Sequence, residues 1–163
     1  MAMRKQITPE SARLRMADLC ARSEQCEYDI RQKLLKMGIR AEAAAEIIGY
    51  LIDNRFIDNS RYALSFARDK CRFSLWGPYK IRQGLLAKRI PASDISTAIA
   101  SLEESELYDA ILRSAKGKAR SLSLHGGEGR EGRMKLYRHL LSRGFDSRMS
   151  TQAVREMIAA TTT

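Results

Sequence analysis

The chain has 163 residues, 44% hydrophobic and 29% charged, with 29 Lys and Arg against 19 Asp and Glu for a formal net charge of +10. This composition excludes a disordered or fibrous chain, and no segment reaches the roughly 20 apolar residues that cross a bilayer. The excess of cations points to polyanionic company, because each phosphate neutralised by Lys or Arg releases counterions.

"MAMRKQITPE" places no apolar segment behind its charges, so no secretory signal is expected and the protein is read as cytoplasmic. The three cysteines make no closed disulfide framework and are read as free, packed thiols. Thr8 and Pro9 then supply a cap and a first-turn proline for a helix whose predicted buried stripe is Leu14, Ala17 and Ala21. Ile30, Leu34 and Met37 recur at i, i+4 and i+7 in a second helix that Gly38 ends. A third carries Ala44, Ile47, Ile48 and Leu51. Asp58 is placed to cap a fourth, bearing Tyr62, Phe66 and Ala67. Gly77 and Pro78 open a fifth, since proline gives up no needed donor in a first turn, and Trp76 just before them is expected to anchor the joint.

The fifth helix repeats the second. Laid over one another at a shift of 51 residues, Ile30 to Ile39 and Ile81 to Ile90 match in Ile, Arg, Gln, Leu, Leu and Ile, and Cys20, Tyr28, Ile48 and Leu51 fall on Cys71, Tyr79, Ile99 and Leu102. A further shift of 55 brings Leu140 and Leu141 onto Leu85 and Leu86, Phe145 onto Ile90, and Val154 and Met157 onto Ile99 and Leu102. Each unit is too small to bury much core alone. The expectation is therefore an all-α protein of three tandem three-helix repeats, 8–57, 58–104 and 105–160, stacked into an elongated, curved body. The third carries a glycine-rich loop insertion at 123–132.

Catalytic and metal chemistry find little support. His125 and His139 have no serine or cysteine at a recognisable spacing, and "HGGEGREG" follows no strand and lacks a Gly-Lys-Ser/Thr ending. Cys20, Cys26 and Cys71 lack a fourth zinc ligand and a CxxC pair. Glu103, Glu104 and Glu106 sit where a helix should start, where carboxylates complement the macrodipole. No enzyme activity, metal or cofactor is expected.

What remains is the cationic pattern. With Ile81 centred on the buried stripe, 100° per residue puts Leu85 beside it, points Lys80, Gln83 and Ala87 outward, and gathers Arg82, Leu86 and Arg89 on one flank. Lys88 adjoins that flank. Related cations are Arg31 and Lys36 in the first unit and Arg138, Arg143 and Arg148 in the third, while Arg68, Lys70 and Arg72 in "ARDKCR" and the run "KGKAR" add to them. Stacked units would align these charges into a track for a grooved polyanion.

"IDNSRYALSFARDKCRF" followed by "WGPYKIRQGLLAKRI" resembles the signature of the bacterial RecX family, and the likeness runs from about Leu14 to Ile158. The resemblance implies a non-enzymatic modulator, usually an inhibitor, that binds the RecA recombinase filament on single-stranded DNA and dampens its growth, ATP hydrolysis, strand exchange and SOS signalling. By motif position it singles out Asp58, Arg61, Gly77, Pro78, Ile81, Arg82 and Leu85. Gly84 departs from it, standing where many members have Glu. The protein is expected to act as a monomer away from membranes, with weak, salt-dependent affinity for single-stranded DNA alone. The competing reading is a stand-alone helical-repeat DNA-binding protein, for which free DNA binding would be tight and sequence-selective.

Overall fold

A computed structural model describes residues 6–122 and 129–161; His125 and residues 123–128 of the expected insertion lie outside them. Among the described residues the regular structure is helical throughout: α1 (Pro9–Arg22), α2 (Glu27–Lys36), α3 (Ala41–Asp53), α4 (Asn59–Arg72), α5 (Pro78–Ala87), α6 (Ala92–Ala100), α7 (Glu104–Ser121), α8 (Arg130–Ser142) and α9 (Ser147–Thr161). Arg130 to Gly132 already form the first turn of α8 and so belong to a helix, not to a loop.

Side chains satisfy the orphan amides at several helix starts. Thr8 accepts from the Ser11 amide at 3.2 Å, Asp58 from Arg61 at 3.0 Å and Asp146 from Met149 at 2.7 Å. Glu103 and Glu106 form a reciprocal capping box on α7, so the acidic group is a helix start, as its position suggested.

The middle helices α2, α5 and α8 end alike. The chain enters the left-handed region at Gly38 (φ 83°), Arg89 (φ 55°) and Gly144 (φ 96°), which are equivalent positions at the shifts of 51 and 55. The next amide then reaches back into the helix: Ile39 to the Leu34 carbonyl at 3.1 Å, Ile90 to Leu85 at 3.1 Å and Phe145 to Leu140 at 3.3 Å. These are Schellman closures, whose last residue folds an apolar side chain back over the helix. That is why Ile30, Leu34 and Ile39, then Ile81, Leu85 and Ile90, then Leu136, Leu140 and Phe145 are all at most 5% exposed.

The buried side chains divide unequally. Met16, Ile30, Leu34, Ile47, Ile48, Leu51 and Ile57 form a core within α1–α3. A second core runs unbroken from α4 to α9, through Ala63, Cys71, Ile81, Leu85, Ile111, Leu140 and Val154, and Cys26 reaches into it from the start of α2. The expected stripe on α1 is out of phase. Leu14 is 62% exposed and Ala21 is exposed, whereas Ala12 and Met16 are buried. Apolar residues surround α1 so closely in sequence that its period fits two stripes, and packing against α3 selects the second. Cys20 is likewise only half-buried, although its repeat equivalent Cys71 is fully enclosed.

The two joints differ in chemistry. Between α1–α3 and α4–α6, polar contacts flank the buried Cys26: Arg61 to Glu24 at 2.5 Å, Lys88 to Asp29 at 2.8 Å, and the Glu27 amide to the Asn59 side chain at 3.2 Å. Between α5 and the turn after α8 the backbones themselves meet, with the Gly77 amide donating to the Arg143 carbonyl at 2.8 Å and the Tyr79 amide to Gly144 at 3.0 Å. A Cβ on Gly77 would stand 2.5 Å from the Gly144 carbonyl carbon, so this approach requires glycine.

Candidate partner-binding surface

The surface around α5 rests on an aromatic cluster. Trp76 is half-buried and meets Phe66 edge-on, with centroids 6.2 Å apart at 69°, and Tyr62 lies 5.9 Å beyond. Lys70 and Lys80 place their ammonium groups 4.8 and 4.9 Å from the indole centroid. Lys80 therefore does not point outward as the helical wheel suggested; its long stem folds onto the ring, where the π face attracts the charge. Trp76 packs where α4 gives way to α5, the position from which it was expected to anchor the joint. Gly84 has a physical role as well: a Cβ there would come within 2.8 Å of Phe66 Cζ and 3.3 Å of Trp76 Cζ3. Glycine lets the rings close against α5.

On the other flank of α5, Leu86 is 48% exposed and Arg82 is half-buried, and Gln83 and Ala87 face solvent as expected. Arg89 leaves the predicted flank. The helix ends at Ala87 and the left-handed turn swings the Arg89 guanidinium to 4.9 Å from the Tyr28 ring of α2, so helical periodicity no longer applies.

The structure gives five of the expected contact cations internal partners. Arg31 pairs with Glu27 at 3.0 Å along α2, Arg61 with Glu24, and Lys88 with Asp29. Arg72 pairs with Glu106, whose carboxyl is held below its usual range first by that hydrogen bond and then by the Glu103 amide. Arg143 donates to the Ser74 carbonyl. Exposed pairs of this kind contribute about 0.2–1 kcal/mol each, and all but Arg31–Glu27 tie their charges to inter-unit joints. Lys36, Arg68, Arg82 and Arg138 form no ion pair among the described residues. Sequence reasoning also missed two exposed rings, Phe73 at 80% and Tyr79 at 63%. Their signal was local: aromatic residues next to a helix boundary, off the buried stripe.

One pair escaped the sequence search altogether. Ser114 Oγ lies 3.0 Å from His139 Nε2, 25 residues away, because α7 packs on α8. Ser114 is only 5% exposed, too enclosed to serve as a nucleophile for a bulk-solvent substrate. The His139 pKa is lowered by burial first and then by the cations Lys118, Arg143 and Lys80. Burial pushes the thiols of Cys20, Cys26 and Cys71 up, which keeps them protonated and weakly nucleophilic. Among the described residues no cluster of His, Cys, Asp or Glu is arranged to hold a metal, and no helix is long and apolar enough to cross a membrane.

Three-helix units in tandem with a cation-bearing face define an all-α helical-repeat protein. The family model described as RecX, second three-helix domain, matches residues 58–99. Regulatory protein RecX of Prosthecochloris aestuarii is 30% identical over 135 residues, covering 83% of this chain and 85% of its own. Regulatory protein RecX of Clostridium botulinum is 28% identical over 137 residues, but this chain spans only 64% of its length. A crystal structure of regulatory protein RecX superposes with a TM-score of 0.75 at 28% identity, over 93% of this chain and 71% of that one. The RecX crystal structure from Lactobacillus salivarius has a TM-score of 0.73 at 22% identity, over 91% and 95%, and supports the fold. The chain belongs to the RecX family.

Proposed function

We propose that this protein modulates, and mainly inhibits, the RecA recombinase by lying along its filament on single-stranded DNA in the cytoplasm. It acts as a monomer without enzymatic activity or cofactor. The three helix triplets, with boundaries at 57/58 and 104/105, serve as successive contact units. The observation that carries the reading is the α5 surface, where Arg82, which forms no ion pair among the described residues, shares one flank with the exposed Leu86 while the Lys70–Trp76–Lys80 stack occupies the other, in a chain whose relatives are named regulatory proteins. An apolar side chain flanked by cations suits a surface of mixed protein and phosphate, and Lys36, Arg68 and Arg138 extend the charge along the body.

The test is titration of the protein against the DNA-dependent ATPase of a recombinase. Arg82→Glu should weaken inhibition about tenfold, roughly 1.4 kcal/mol, because a repulsive charge replaces an attractive one. Gln83→Ala, on the solvent side of the same helix, should inhibit like the wild type. Loss of inhibition in proportion to loss of helicity would mean that Arg82 only braces the fold. DNA binding that is tight and sequence-selective without recombinase would favour the stand-alone DNA reader instead.

A further inference from the structure

The third unit contains an open cavity of about 500 Å³ between the C-terminal end of α7 and α8, lined by Lys118, Leu122, Lys135, Arg138, His139 and Ser142. Among the described residues its lining holds no carboxylate. Glu131 pairs with Lys135 at 2.7 Å while remaining 82% exposed. The charges that act on the imidazole are cationic. Lys118 comes from α7, Lys80 from α5, Arg143 from the turn after α8, and Lys135 and Arg138 flank the pocket on α8 itself. Ser114 holds Nε2, and the Ser142 hydroxyl is turned to the His139 carbonyl at 2.6 Å. Such convergence is unfavourable unless an anion offsets it.

We propose that this pocket seats a backbone phosphate of a single-stranded nucleic acid, contacted by Lys118 and Arg138 with His139 at its floor. The cavity is open, so a chain can pass through it instead of ending in it. The exposed rings Phe73 and Tyr79, in the connector and first turn that lead to Lys80, offer π faces that unpaired bases use and that a duplex or an acidic protein surface does not. Burial first and these cations second lower the His139 pKa, and a phosphate beside it offsets the cationic part, so binding takes up a proton and strengthens as pH falls below the ordinary imidazole value of 6.5.

The inference deepens the nucleic-acid part of the function proposed above and rests on it there. Its test contains no recombinase, so its failure leaves the ATPase test to be judged alone. The His139 proton signal, assigned by its disappearance in His139→Gln, is followed against pH in the wild-type protein with oligodeoxythymidylate, inorganic phosphate or poly-glutamate. Oligodeoxythymidylate should raise the titration midpoint by about half a pH unit or more, and the other two at matched charge should not. Anisotropy titrations of the same oligonucleotide over a range of salt should give a log–log slope shallower by about 1.4 in Lys118→Gln/Arg138→Gln, two contacts at about 0.7 each. An unmoved midpoint with oligonucleotide bound or unable to bind, an equal response to either other anion, or an unchanged slope in the folded double variant overturns the assignment. The midpoint is read on wild-type protein and does not depend on how the variants fold.

Discussion

Gly77→Ala tests whether the second and third units are fused through their backbones. The residue has φ −85° and ψ 173°, which alanine adopts freely, so no conformational penalty enters. The penalty is proximity: the new methyl would meet Gly144 C and O at 2.5 Å and the Phe145 amide nitrogen at 2.6 Å, all backbone atoms that cannot rotate away. Separating the two segments gives up the Gly77 and Tyr79 amide hydrogen bonds, together worth about 1–3 kcal/mol. Forcing a methylene into a closed contact costs a similar amount. A loss near 3 kcal/mol in a protein of this size lowers the melting temperature by about 6–12 °C, read by circular dichroism. Gly117→Ala is the counterpart. It lies within α7 with nothing within 4 Å of a Cβ, so it should gain about 0.5–1 kcal/mol from helix propensity. If Gly77→Ala melts within 2 °C of the wild type, the close backbone contact is not what joins the units.

Leu85→Ala should cost about 2–5 kcal/mol in denaturant unfolding, since the side chain is fully enclosed, and an unchanged midpoint would break the repeat register. Arg89→Gly should stabilise by roughly 0.5–1 kcal/mol, because relief of a left-handed arginine, about 1–2 kcal/mol, outweighs an exposed cation–π contact of about 0.5–1. A lower melting temperature for that variant would refute this balance. The folded protein holds the His139 pKa below that of the unfolded chain. Its contribution is therefore complete above the ordinary imidazole value of 6.5 and is lost as pH falls through the lowered value. Melting temperatures measured between pH 7 and 5 should accordingly fall less steeply for His139→Gln than for the wild type.

The sequence made the helix order and the register of the middle helices readable because a Schellman closure places an apolar residue at a fixed distance from the buried pair, and Ile39, Ile90 and Phe145 announce it. Caps such as Thr8 and Asp58 were equally local and equally legible. The phase of α1 was not, since Leu14 and Met16 are both apolar and only α3 chooses between them. The candidate surface was half visible. Charge counts identified the basic residues, but whether a cation is committed depends on partners distant in sequence: Glu24 for Arg61, Glu106 for Arg72, Asp29 for Lys88. The basic pocket of α7 and α8 was hidden for the same reason, since Lys118 and Arg138 meet only in the folded chain.

The contrast between the two joints has a mechanical consequence. Ionic contacts between α1–α3 and α4–α6 weaken as salt shortens the Debye length, while the glycine-to-glycine seam and shared core beyond them do not. Raised ionic strength should therefore weaken the joint between α1–α3 and α4–α6 more than the backbone seam between α5 and the turn after α8, and melting followed at two salt concentrations would show it.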